Sequence, residues 1–465
     1  MEERGSTLII ITMVFGVLMD GIDGSIVNVA LPSIADSFGT DTSVVSWVTI
    51  SYFLMLAGLL LPFGKIADAG HIRKVFLSGF VVFTIGSLAC ALSPTLTVLV
   101  ASRILQGIGA AALAAVAPMI CVKLLPAKHL GKSLGIMTVA AALGFAIGPA
   151  LGGLLVGLLS WHWIFLINIP LGIAAIAIGH VALPKEEKTS FFVDRKGTAL
   201  LFLAIAFGVY AIERMSYAEE RTACILAGVV AIVMLVLFVV ESLRASDPLL
   251  DVRVFKIRDL DLTLISYMVI NLVYMGVLYI LPFYMEIELG LSSLACGGIL
   301  LLPSLISLSL SIPAGNYTDR HGRRLFAVIA SFLGIVYTAM LYAIDPDMGI
   351  VPMIVVSVVI GLMWGLCGAA SSGRIVDSLP EEQKAIGSSL MNFIVYIGST
   401  IGTALFASLL TTGSGSAGVA IEDLSPEAFM EGMAVAMLCG VLLSVVSFVT
   451  AFAVKEKRLS SADSE

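Results

Sequence analysis

Two carboxylates, Asp20 and Asp23, stand three residues apart inside an apolar run that extends from about Thr7 to Ala30. An ionisable group at membrane depth is costly, so two of them point to movement of protons or solute and call for a partner. Three-residue spacing puts both acids on one helix face, and Gly16 and Gly24 flank Asp20 on the same stripe. The expected partner is Arg103 in "ASRILQGIGAA", a basic residue inside another apolar run. At 1.5 Å per residue, Asp23 and Arg103 each lie ~10 Å below one membrane surface, whereas Asp20 lies ~5 Å deeper. Asp23–Arg103 is therefore the expected ion pair, and Asp20 the acid expected to take up and release a proton. A static polar patch joining two helices is the alternative.

Membrane helices are the elements that must hold these groups. Hydrophobic residues make up 59% of the 465 and charged residues 13%, about half the charge of a soluble domain. A span needs about 20 apolar residues. Breaks at charged or Pro/Gly-rich segments predict fourteen spans, the first seven at roughly 7–30, 44–66, 75–93, 96–121, 133–157, 162–183 and 197–212. The other seven fall at roughly 222–243, 262–285, 293–314, 325–344, 349–372, 385–410 and 430–454. The fold class expected is an all-α polytopic membrane protein. With the N-terminus inside, 23 of the 26 Lys and Arg fall in cytoplasmic segments; Arg214 and Arg221 fall outside, and Arg103 within the membrane. That asymmetry predicts both termini cytoplasmic, in the cell membrane.

Other classes of function find little here. The start "MEERGST" lacks a basic region, so no cleavable signal is expected. The six cysteines lie in or at the ends of apolar segments and read as packing residues. Five scattered histidines offer no metal-ligand spacing, so no metal site is expected. No nucleophile–base cluster suggests catalytic residues, and no cofactor is expected beyond a proton gradient as energy source. The basic loops are short and interrupted by acids, which speaks against nucleic acid. The expected partners are a small-molecule substrate, protons and the lipid bilayer, and the chain is expected to be a monomer.

An internal repeat organises the spans. The loop "GKIADAGHIRK" begins at Gly64 and "GNYTDRHGRR" at Gly315, 251 residues apart, and the blocks that contain them start near Thr7 and Leu262. Matching offsets predict two six-helix bundles of the same orientation, related by an axis along the membrane normal. They occupy residues 1–190 and 262–454, with a two-helix insertion at 191–261 and a cytoplasmic tail at 455–465.

These strings resemble those of the major facilitator superfamily, specifically its fourteen-helix drug/proton antiporter family, over essentially the whole chain. The family's loop motif, roughly G-x-x-x-D-R-x-G-R-R, is matched by Gly315, Asp319, Arg320, Gly322, Arg323 and Arg324. The first copy keeps Gly64, Asp68, Arg73 and Lys74 but has Ala69 and His71 where the family has Arg and Gly. Such loops resemble conformational latches; the alternative is a solvated loop that only sets topology. "GFAIGPALGG", with Gly144, Gly148, Pro149, Gly152 and Gly153, resembles the motif that marks antiporters over symporters. Its plain reading is close helix packing. In "WHWIFLINIPLG", His162 stands where the family has Arg. "IDGSIVNVALP" places Asp23 at the family's first-span aspartate, and "RILQGIGAA" carries Arg103, Gln106 and Gly107 of its fourth-span motif. The resemblance implicates these positions in coupling efflux to proton uptake; Asp20 is this chain's own addition.

The second half carries no comparable mid-membrane charge. Asn271, Tyr274, Trp364, Asn392 and Tyr396, with Asn28 and Gln106 from the first half, are expected to line a substrate cavity. Met363 and Met391 would supply adaptable walls, and the aromatics suit cations; packing against lipid or helices is the alternative. Glu286 and Glu288 are expected to be solvated at the outer end of the ninth span, with Glu286 lining the outer vestibule as the alternative. The expected function is a proton-coupled antiporter that exports amphipathic, cationic or neutral compounds by alternating access. An exporter or proton symporter for one defined metabolite is the nearest alternative. A membrane enzyme, a channel and a non-transporting sensor are weaker rivals.

Overall fold

In a bilayer the backbone must satisfy its own hydrogen bonds, and long apolar runs do so as helices. The computed structural model describes residues 2–124, 130–184, 194–377, 384–420 and 423–454, and among them there is no strand. The first bundle comprises α1 (Glu2–Phe38), α2 (Thr42–Ile66), α3 (Ile72–Ala91), α4 (Leu96–Leu124), α5 (Leu130–Leu158) and α6 (Asn168–Ala182). An inserted pair follows, α7 (Arg195–Glu213) and α8 (Arg221–Arg244). The second bundle comprises α9 (Arg258–Ile287), α10 (Ser293–His321), α11 (Arg324–Tyr342), α12 (Val351–Asp377), α13 (Lys384–Ser414) and α14 (Pro426–Ala453). Thirteen stretches are long and apolar enough to cross a membrane; one, Thr42–Ala91, is α2 and α3 joined through a π-turn, so fourteen helices span.

The first span departs from expectation at its far end. Helix α1 does not stop near Ala30 but runs through Pro32 to Phe38, because a proline removes one backbone donor without excluding the helix that follows it. The connection to α2 shrinks to Gly39–Asp41, with Gly39 at φ +56° and the Asp41 side chain capping α2 by accepting from Val44 N at 2.6 Å.

The two bundles repeat each other in register as well as in order. Helix α1 packs along α5, and α4 packs against both α2 and α3; α9 packs along α13, and α12 against both α10 and α11. A Cβ added at Gly144 of α5 would meet Leu18 O, Gly21 and Ile22; one added at Gly398 of α13, 254 residues on, would meet Met268 O, Asn271 and Leu272, each 250 residues beyond its counterpart in α1. Gly107 of α4 faces Tyr52 and Met55, and Gly361 of α12, 254 residues on, faces Pro303 and Ile306, each 251 residues beyond its counterpart in α2. The bundles meet along two seams, α5 with α10 and α2 with α13. The inserted α7 lies over the second seam, and α8 turns Ile225, Leu226, Ile232 and Val236 outward, as a lipid-facing helix would.

The glycine string of α5 is first a packing device. The carbonyl oxygens of Leu18 and Ile26 lie 2.6 and 2.8 Å from where a Cβ would sit on Gly144 and Gly152. A Cβ on Gly153 would point instead to the seam, 3.1 Å from Gly297 Cα of α10. Helix α13 carries the same device at Gly398 and Gly402, which the sequence reading passed over. Gly144→Ala should therefore force α1 and α5 apart, at about 1–3 kcal/mol, the usual cost of overpacking. Gly298→Ala, with nothing within 4 Å, should leave the thermal midpoint unchanged. Equal midpoints for both variants in detergent would mean that the string does not set the α1–α5 spacing.

Candidate functional site

Asp23 and Arg103 form the expected pair, wholly inside the first bundle. Arg103 Nη1 lies 2.6 Å from Asp23 Oδ2, with the side chains 1% and 0% exposed. Such burial is tolerable only when every remaining donor and acceptor is engaged. Asp23 Oδ1 accepts from Gln106 Nε2 at 2.8 Å and from Asn168 Nδ2 at 2.9 Å. Arg103 Nε donates to Val48 O at 2.9 Å and Nη1 to Gln106 Oε1 at 2.6 Å, while Gln106 Nε2 also reaches Ser87 Oγ at 2.8 Å. The network thus ties α1, α2, α3, α4 and α6 together. Gln106, expected in the substrate cavity, belongs to it and is fully buried. Asn168 was missed, although "INIPLG" carries a polar residue in an apolar run, the one signal that could have marked it.

Asp20 lies one turn deeper and is held differently. It is partly exposed at the boundary between the bundles. Tyr52 of α2 donates to Oδ1 at 3.2 Å, and Tyr396 of α13, in the second bundle, donates to Oδ2 at 2.8 Å. Among the described residues no cation is paired with it. The Arg103 guanidinium sits 4.1 Å from the centroid of the Tyr52 ring, so one phenol touches both acid centres. Phe53 stacks on Tyr396 beside it.

The remaining cavity residues divide. Tyr274 lines a narrow cleft between the bundles with Ser25, Phe145, Pro149 and Pro303, and Trp364 packs edge-on against it at 4.9 Å. Asn392 lines a cavity of about 290 Å³ walled by Leu60 and Leu61 of α2, Ala115 and Met119 of α4, and Asp247–Asp251 of the link between α8 and α9. Asn28 is buried on α1. Asn271 does not line the described cavities: it is the register equivalent of Gly21, so it faces Gly398 of α13 and donates to Tyr267 O at 2.8 Å. Sharing a face with Tyr274 did not bring it to the same space. Register equivalence also explains the missing charge, because Val273 stands for Asp23 and Ser357 for Arg103. Glu286 is not simply solvated; it accepts from Ser293 Oγ at 2.8 Å.

The repeated loops act on the last helix of their own bundle. Arg73 donates to Leu183 O at 2.8 Å and to His180 O at 2.9 Å, at the end of α6. Arg324, 251 residues on, donates to Phe452 O at 2.7 Å near the end of α14 and lies over the Phe452 ring. Cations at helix C-termini offset exposed carbonyls. The first copy is therefore as well anchored by this arginine as the second. Its left-handed glycine is displaced by one position, Gly70 at φ +101° against Gly322 at φ +92°, which is why His71 can replace the family glycine. Asp68 pairs with Lys123 of α4 at 2.6 Å, and Lys74 lies 3.4 Å from His71 Nδ1. The side chains of Asp319 and Arg320 lie outside the described residues.

Comparison with known proteins agrees with this architecture. The Major Facilitator Superfamily model matches residues 13–403. The riboflavin transporter RibZ of Clostridioides difficile (strain 630) is 31% identical over 413 residues, covering 88% of each chain. A protein named for multidrug resistance, MdtD of Salmonella paratyphi A, is 30% identical over 407 residues, covering 85% of this chain and 84% of that one. Among solved structures, a bacterial homolog to the human lysosomal transporter Spinster superposes with a TM-score of 0.70 at 14% identity, covering 97% of each chain. At that identity the likeness speaks for the fold alone.

Proposed function

The chain belongs to the Major Facilitator Superfamily, and from that premise we propose that it is a proton-coupled antiporter of the cell membrane, exporting amphipathic compounds, cationic or neutral. The observation that carries this reading is Asp20, a carboxylate with no cation partner among the described residues, held between a phenol of one bundle and a phenol of the other. Ionised, it accepts from both Tyr52 and Tyr396. Protonated, it keeps one full acceptor and becomes a donor, so the tie across the bundles changes with each proton. A bound organic cation would compete for the same charge. Two ligands that exclude each other at one site, in a protein that turns the site from face to face, constitute exchange; each must bind the two states differently.

The membrane orientation belongs to the same proposal. The face bearing Lys65, Arg73, Arg253 and Arg324 would be cytoplasmic, with both termini, and the face bearing Asp41, Glu213 and Asp345 external. The cavity of about 290 Å³ then opens towards the source of exported compounds.

A second reading, a transporter for one defined metabolite, is favoured by the relative named for riboflavin and by the Trp364 indole N–H beside Tyr274, which makes no hydrogen bond among the described residues. A buried donor left unpaired selects for a ligand that supplies its acceptor. Purified protein in proteoliposomes with an imposed pH gradient, offered a chemically diverse panel including riboflavin, separates the two. Proton-driven uptake of several unrelated amphiphiles supports the first; a response to riboflavin alone supports the second. Flux without proton countermovement would sink both as coupled mechanisms.

A further inference from the structure

The acidic face is closed by residues that neither bundle owns alone. Asp41, 4% exposed at the start of α2, caps that helix through Oδ1. Its Oδ2 accepts from Tyr217 OH at 2.6 Å and from Gly418 N at 2.9 Å. Tyr217 sits in the link between α7 and α8, and Gly418 in the connection between α13 and α14. The next residues repeat the pattern. Thr42 Oγ1 and Thr411 Oγ1 of α13 lie 3.0 Å apart, and Tyr279 of α9 donates to Thr42 O. Ser43 Oγ donates at 2.8 Å to Glu213 Oε1, the buried last residue of α7. Glu213 is paired with Arg214, whose guanidinium lies 5.0 Å from the Tyr217 ring.

We infer that Asp41 and Tyr217 close the acidic-face gate, and that the inserted helix pair is a working part of it which must let go before the bundles can part on that side. One carboxylate receives three donors, from the first bundle, the second bundle and the insertion. Opening the seam between α2 and α13 at this face must break the bond to Gly418, and α2 cannot leave α7 without also breaking those to Tyr217 and Glu213. The equivalent seam, α5 with α10, has no inserted helix and closes by glycine contact, Gly153 on Gly297. The two seams are thus unequal: one opens by separating surfaces, the other by breaking charge-assisted hydrogen bonds, the stronger kind.

The inference rests on alternating access but not on what is transported, so its test uses neither substrate nor pH gradient. Spin labels at Leu159 in the first bundle and Val351 in the second, both exposed at the acidic face, report the separation of that face in full-length protein freed of its native cysteines. Asp41→Asn keeps the helix cap, since Asn caps as well as Asp, but turns an N–H₂ towards Tyr217 and Gly418. It should raise the ratio of wide to narrow distances by about tenfold or more, the effect of losing a hydrogen bond to a charged acceptor. Tyr217→Phe, which removes only the hydroxyl that the inserted pair gives to Asp41, should shift the ratio the same way by a smaller factor. Asp347→Asn, exposed on the same face, should not. If Asp41→Asn fails to fold, Thr411→Val together with Tyr217→Phe carries the test. An unchanged distribution in Tyr217→Phe would overturn the role of the inserted pair, and one in Asp41→Asn the whole proposal. Coupled transport could survive either failure, and a loss of coupling would leave the gate result standing.

Discussion

Asp20→Asn should reduce gradient-driven transport to the level of passive leak while the protein remains folded and still binds its substrates. The variant keeps an acceptor for Tyr52 or Tyr396 and fills the same volume, so its stability cost is one weakened hydrogen bond, about 1 kcal/mol. What it loses is the ability to exchange a proton at the boundary of the bundles. Binding of a cationic amphiphile should then become independent of pH, whereas in the native protein it should strengthen as pH rises and the carboxylate is freed. Tyr396→Phe should act in the same direction but partially, because Asp20 keeps its charge and loses one donor. Equilibrium binding of a fluorescent cation across pH, beside thermal midpoints of the same preparations, checks both statements. A retained pH dependence in Asp20→Asn would move the proton site elsewhere.

The fourteen spans were legible because lipid leaves the backbone few choices, and because alternate loops carry the basic residues. The Asp23–Arg103 pair was legible too, since each residue sits in a recognisable string and simple rise per residue brings them to one depth. What was not legible is what depends on which way a helix turns. Gln106 and Asn271 are polar residues in apolar runs, the same signal that Tyr396 gives. Yet Gln106 turns into the Asp23 network and Asn271 into the α9–α13 contact. Face-sharing places Asn271 beside Tyr274 in sequence terms, but a face is broad, and three residues suffice to separate a helix contact from a cleft. The phenols that hold Asp20 come from α2 and α13, 32 and 376 residues away, and no local spacing announces them. The acidic-face gate was hidden for the same reason. Asp41 and Tyr217 lie 176 residues apart, and only the seating of α7 over the α2–α13 seam brings them together.

The largest effect on folding should come from Asp23→Asn. Removing one member of a fully buried pair strands the other, at about 3–5 kcal/mol. Here the amide would also aim an N–H₂ at the Arg103 guanidinium, or, flipped, at the amides of Gln106 and Asn168, all of which are donors to the native carboxylate. At a few degrees per kcal/mol, the thermal midpoint should fall by roughly 5–10 °C, with poor recovery from the membrane. Arg103→Gln alone should be milder in its sterics but leaves Asp23 charged, with two amide donors and no cation. Combining the two substitutions returns the site to neutrality, so the double variant should be more stable than Asp23→Asn, a coupling that additive behaviour cannot produce. Transport need not return with stability, because Arg103 also lies over Tyr52 and so bears on Asp20. A double variant that folds, binds and exchanges nothing would assign to the pair a part in coupling beyond its part in the fold. A double variant no more stable than Asp23→Asn would mean that the hydrogen bonds from Gln106 and Asn168, and not the ion pair, hold α1 against α4 and α6.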